Sequence, residues 1–150
     1  MLLTSVLYIN LVTMVISDFR KRVINAYLLA IFALLVIYSV YTNEGVYLLK
    51  TRVLWNVAFL LYMFSVMMAY LWLTKRQISQ LIGSGDILFI FTITPLFELR
   101  EFIVFLTLAF AATLIFYALL SRYYPTKTIP LVSCVGISFI VYDIIGNYLI

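Results

Sequence analysis

The chain has 150 residues, of which 66% are hydrophobic and 11% charged, with a formal net charge of +4 and a mean hydropathy of +1.15. Soluble domains carry about 45–50% apolar and about 25% charged residues, so this composition excludes a water-soluble globule and predicts an integral membrane protein. With no histidine and a single cysteine, Cys134, it also excludes Ser-His-Asp and Cys-His catalysis, His-ligated metal sites, an internal disulfide and a four-thiolate zinc site.

A membrane-crossing helix takes about 20 apolar residues. The length therefore allows about six spans in a single domain covering 1–150, an all-α polytopic bundle. The first span covers 2–17 and ends in the cluster Asp18-Phe19-Arg20-Lys21-Arg22. It lacks the basic region that opens a signal peptide, so it reads as a permanent span. A second span, 23–41, runs into the turn-like stretch Thr42-Asn43-Glu44-Gly45. Lys50 and Arg52 precede a third, 53–73, which Lys75 and Arg76 follow. The less apolar stretch 77–86 leads into a fourth span that closes near Phe97, and Glu98, Arg100 and Glu101 form the next break. The fifth covers 102–120. A loop with Arg122, Pro125 and Lys127 separates it from a sixth that begins around Thr128. Cys134 lies within that last span, where packing is its expected role.

With the N-terminus outside, the inner loops carry Arg20, Lys21, Arg22, Lys75, Arg76, Arg122 and Lys127, and the outer loops only Lys50, Arg52 and Arg100. That bias puts both termini outside a cell (inner, cytoplasmic) membrane. The basic residues are topology and lipid anchors, and loops this short form no nucleic-acid groove.

Six acidic residues remain to be placed. Glu44, Glu98 and Glu101 fall in outer loops, and Asp143 lies in the outer half of the last span, where a structural role is expected. Asp18 closes the first span and Asp86 opens the fourth, both at the cytoplasmic boundary. Ionisable groups at that depth are costly and are functional candidates. Asp86 follows Gly83-Ser84-Gly85, two glycines that leave room for close approach by a substrate backbone. A serine–lysine rival exists in Ser17/Lys21 and Ser79/Lys75, each pair four residues apart.

Ser17-Asp18-Phe19-Arg20-Lys21-Arg22-Val23-Ile24-Asn25 resembles the first-aspartate motif of the type IV prepilin peptidase family, Asp-x-Arg followed by Ile-Pro-Asn. Gly83-Ser84-Gly85-Asp86 resembles that family's Gly-x-Gly-Asp motif, and 129–136, with Pro130 and Gly136, resembles the opening of its last helix. The similarity runs through the chain in order. It departs from the family pattern in lacking the proline after Ile24 and a second proline between Pro130 and Gly136.

The resemblance implies a membrane aspartic endopeptidase with Asp18 and Asp86 as catalytic dyad and Gly83, Ser84 and Gly85 as substrate-approach residues. Neither metal nor organic cofactor is implied. The expected partners are the lipid bilayer and a prepilin-like protein substrate, whose basic leader is cut at the cytoplasmic face; a homo-oligomer is compatible with this. The chain is similar to the protease-only branch, without the N-methylation domain. Two alternatives stand beside this reading: a presenilin-like intramembrane protease, against which the motif order argues, and a non-catalytic scaffold or transporter subunit. Helix dipoles make Asp86, near a helix N-terminus, the expected more readily ionised partner, and Asp18, near a C-terminus, the less.

Overall fold

The computed structural model describes residues 2–21, 23–75, 83–120 and 131–149. The sequence assignments at Arg22, Arg76, Ser79, Arg122, Pro125, Lys127, Thr128 and Pro130 lie outside the described residues. Among the described residues there are five helices: α1 Leu2–Lys21, α2 Ala26–Thr74, α3 Ser84–Ile93, α4 Leu99–Leu120 and α5 Leu131–Leu149. A 3-10 turn, Thr94–Leu96, extends α3. Among the described residues there is no strand.

By length and composition, three helices can cross a membrane: Leu3–Arg20, Ala26–Thr74 and Leu99–Leu119. The apolar segments Ser84–Leu96 and Leu131–Ile144 are shorter. The expectation of six separate spans is therefore corrected to five helices. The fourth span closes near Phe97 as expected, where the chain turns extended at φ -122°, ψ 146°, but its helix begins only at Ser84 and is short. The expected second and third spans are one element, broken only at Gly45.

Gly45 has φ 84° and ψ 172°, a conformation that side chains disfavour and that interrupts the helical bond ladder. The two arms of α2, 26–44 and 46–74, do not run on in line. Phe32 in the first arm stacks on Phe89, with ring centroids 5.9 Å apart. Asn56 in the second arm donates to the carbonyl of Thr94 at 2.8 Å, only five residues beyond Phe89. In a straight helix Phe32 and Asn56 stand about 36 Å apart, too far for both contacts, so the arms fold back at Gly45. The entry to α2 is fixed by Asn25, whose side chain caps it by accepting from the N–H of Tyr27 at 3.0 Å. Its exit is closed by Lys75, left-handed at φ 53°, whose N–H reaches the carbonyls of Leu71 and Trp72.

The core is a single cluster built from the stripe Leu7, Leu11 and Met14 of α1, Leu29, Phe32 and Val36 of α2, Phe89 and Ile93 of α3, Phe102, Phe105 and Ala109 of α4, and Val132, Val135 and Phe139 of α5. Most other large apolar side chains point outward, as lipid-facing residues do. Lipid tails are as apolar as leucine, so burial contributes little to holding such helices together; close packing and interhelical hydrogen bonds do.

Helices α1 and α5 show both. They run antiparallel in a regular register: Asp18 meets Ser133, Val15 meets Gly136, and the hydroxyl of Tyr8 donates to Asp143. That last bond gives Asp143 a structural partner. At the other end of the bundle from Asp18, Arg52 bridges Glu44 at 2.7 Å and Glu98 at 3.8 Å. Asn56, fully buried one turn on, donates to the carbonyls of Thr94 and Phe97, both at 2.8 Å. It thereby joins the second arm of α2 to the turn that ends α3.

Candidate active site

Asp18 occupies the next position on the buried stripe of α1. Leu7, Leu11, Met14 and Asp18 are spaced by four, three and four residues, which keeps them on one helix face, and Asp18 is only 5% exposed. A carboxylate on an apolar stripe needs donors, and α5 brings them. The backbone N–H of Ser133 lies 2.8 Å from Asp18 Oδ2, and the hydroxyl of Ser133 lies 2.7 Å from the same oxygen. Ser133 is the third residue of α5, where a helix N–H has no carbonyl partner of its own. Asp18 thus caps α5 from a different helix.

Asp86 sits in the first turn of α3 and is half-buried. Its Oδ2 accepts from the N–H of Gly83 at 3.3 Å, the local cap of α3. The N–H of Val132, in the first turn of α5, also acts on it, and so does the charge of Asp18. The two sequence-predicted aspartates therefore lie near each other at the start of α5, where Ser133 holds Asp18.

The three residues before Asp86 divide their work. A Cβ on Gly83 would stand 3.0 Å from Oδ2 of Asp86, so this glycine lets the carboxylate fold back over its own helix start. A Cβ on Gly85 would meet Cδ1 of Ile24 at 2.8 Å. At Gly85 the missing side chain makes room for close packing by Ile24. That packing holds α3 against the segment that follows Asp18. Ser84 is exposed at the start of α3.

The segment after α1 is tied down twice, by Ser17 Oγ donating to the carbonyl of Val23 at 3.1 Å and by the Asn25 cap. This commits the Ser17 hydroxyl to the backbone, away from a nucleophile's role. Ser79 of the other serine–lysine pair lies outside the described residues. The expected inequality of the dyad also loses its basis, because Asp18 near the C-terminus of α1 faces the N-terminus of α5 as well.

Sequence reasoning missed Ser133 as a site residue. The signal was there in the position of a hydroxyl just inside the last helix, but the acceptor it serves lies 115 residues away. Among the described residues no three acidic, cysteine or histidine side chains gather as metal ligands. No family model, curated protein or solved structure matches the chain.

Proposed function

We propose that this chain is a membrane aspartic endopeptidase that cuts the basic leader from prepilin-like substrates at the cytoplasmic membrane face, with Asp18 and Asp86 as its dyad. The observation that carries this reading is that the two carboxyls lie near enough for the charge of Asp18 to act on Asp86 at the start of α5, where the N–H of Ser133 holds Asp18. One carboxylate takes a proton from water as the water oxygen attacks the scissile carbonyl. The other, protonated, donates to the carbonyl oxygen, giving a neutral tetrahedral diol that collapses as the amine leaves with a proton.

The arrangement in the membrane follows the charge bias. Arg20 and Lys75 mark the cytoplasmic side, beside the dyad; Glu44, Arg52 and Glu98 mark the outer side, and both termini are outside. The arms of α2 are about 28 and about 43 Å long at 1.5 Å per residue, enough for one crossing each.

The test is the position of the cut. In cells co-expressing a pilin-like subunit, sequencing the mature N-terminus reads a new end at the boundary between the basic leader and the apolar helix. An uncut leader across several such subunits overturns the proposal.

One observation favours a second reading, a non-catalytic membrane scaffold. Asp18 is nearly fully buried and both of its donors fall on Oδ2, as a structural cap requires. A scaffold of this kind tolerates Asp86→Asn without loss of function, whereas a dyad does not.

A further inference from the structure

The hydroxyl of Ser133 has two acceptors and one proton. Its Oγ lies 2.7 Å from Asp18 Oδ2 and 3.0 Å from the carbonyl oxygen of Val15, and a serine can donate to only one of them at a time. The Val15 carbonyl has its own helical partner in the N–H of Phe19, one turn on, so it does not depend on the hydroxyl. Asp18 does depend on it when ionised, because the carboxylate is buried and needs donors.

We propose that Ser133 is a positioning residue of the dyad, its N–H and hydroxyl fixing Asp18 by Oδ2 so that Oδ1 is presented to Asp86 and water. The inference rests on the aspartic-dyad reading above. With Asp18 ionised, the hydroxyl donates to Oδ2 alongside the Ser133 N–H. When Asp18 takes up a proton on Oδ1, from the attacking water or from Asp86, Oδ2 remains an acceptor and both Ser133 donors keep their hold on it.

Oδ2 thus keeps both donors in either protonation state, which avoids an orphaned group at that buried oxygen. Both donors fall on Oδ2, so Oδ1 is the oxygen left for Asp86 and water. The charged group facing Asp18 from a neighbouring helix is Asp86 of α3. The first turn of α5 brings no acidic side chain, and its one other ionisable group there is the Cys134 thiol. Arg20, on α1 itself, is exposed.

The test compares Ser133→Ala and Ser133→Thr with wild type in the full-length protein in lipid, using a prepilin-like substrate. Ser133→Ala lowers kcat about tenfold with little change in KM, and displaces the acid limb of the pH–rate profile upward, because the anion has lost a donor. Ser133→Thr, which keeps the hydroxyl, restores rate and profile. An alanine variant with wild-type kcat and profile overturns the proposal.

Infrared difference spectroscopy gives a readout that needs no substrate. Ser133→Ala shifts a carboxylate band in the Asp18-containing protein and leaves the Asp18→Asn background unchanged. A band shift without any cleavage by wild type sinks the peptidase reading and keeps the tether. Active wild type with no band shift and no change in pH profile does the reverse.

Discussion

A Cβ placed on Gly136 would stand 2.7 Å from Cγ2 of Val15, closer than real side chains approach. This contact sets how near α1 and α5 come, and three residues after Val15 and three before Gly136 the same antiparallel register delivers Asp18 to Ser133. The small residue and the Asp18–Ser133 contact are parts of one arrangement. Val15 is β-branched and stiff, so it cannot swing away cheaply.

Gly136→Ala is therefore expected to destabilise the protein by about 1–3 kcal/mol, the usual range for overpacking. Val15→Ala, by opening the space opposite, recovers much of that loss in the double mutant. Thermal unfolding of the four proteins in one detergent checks the cycle; simple additivity means that the two residues do not oppose each other.

The two aspartates differ in what they hold up. Asp18→Ala leaves the N–H and hydroxyl of Ser133 without their acceptor in a buried place, and costs about 1–3 kcal/mol. Asp86→Ala removes a half-buried side chain whose local donor, Gly83, is exposed, and costs less. Equal unfolding midpoints for the two alanine variants contradict this difference.

Asn56→Leu keeps the bulk and removes both donors to the Thr94 and Phe97 carbonyls. The turn that ends α3 then loses its tie to α2, with a loss of about 1–3 kcal/mol and little effect on the far end of the bundle. Hydrogen exchange rising around 94–98 while the α1–α5 register stays protected is the expected pattern.

The topology is open to cysteine labelling in a Cys134→Ala background. Cysteines at Glu44 and Glu98 react with an impermeant maleimide from outside; those at Arg20 and Lys75 react only after the membrane is opened. Labelling of positions 20 and 44 from the same side contradicts the fold-back at Gly45 as a complete return across the bilayer.

Much of this was legible in the chain. The apolar runs predicted helices throughout, and Asp18 and Asp86 stood out as boundary carboxylates. The spacing Leu7, Leu11, Met14, Asp18 already put a carboxylate on a buried stripe. What stayed hidden were relations made across the bundle. Asn25 is a cap that local pattern can supply, but Asp18 caps α5 from another helix, and no local rule looks 115 residues away for an acceptor. Gly45 was readable as a breaker, yet a glycine can end a helix or merely bend it. Only the contacts of Phe32 and Asn56 with neighbouring residues of one short segment show the chain turning back. Gly85 illustrates the same limit: a missing side chain tells of space, and only packing tells that Ile24 fills it.

The most direct test of the central claim is cleavage of a co-expressed prepilin-like substrate by wild type, Asp18→Asn and Asp86→Asn, with the membrane level of each protein measured alongside. The dyad predicts processing by wild type and none by either variant, each present at wild-type amounts. Continued cleavage by either variant contradicts the account.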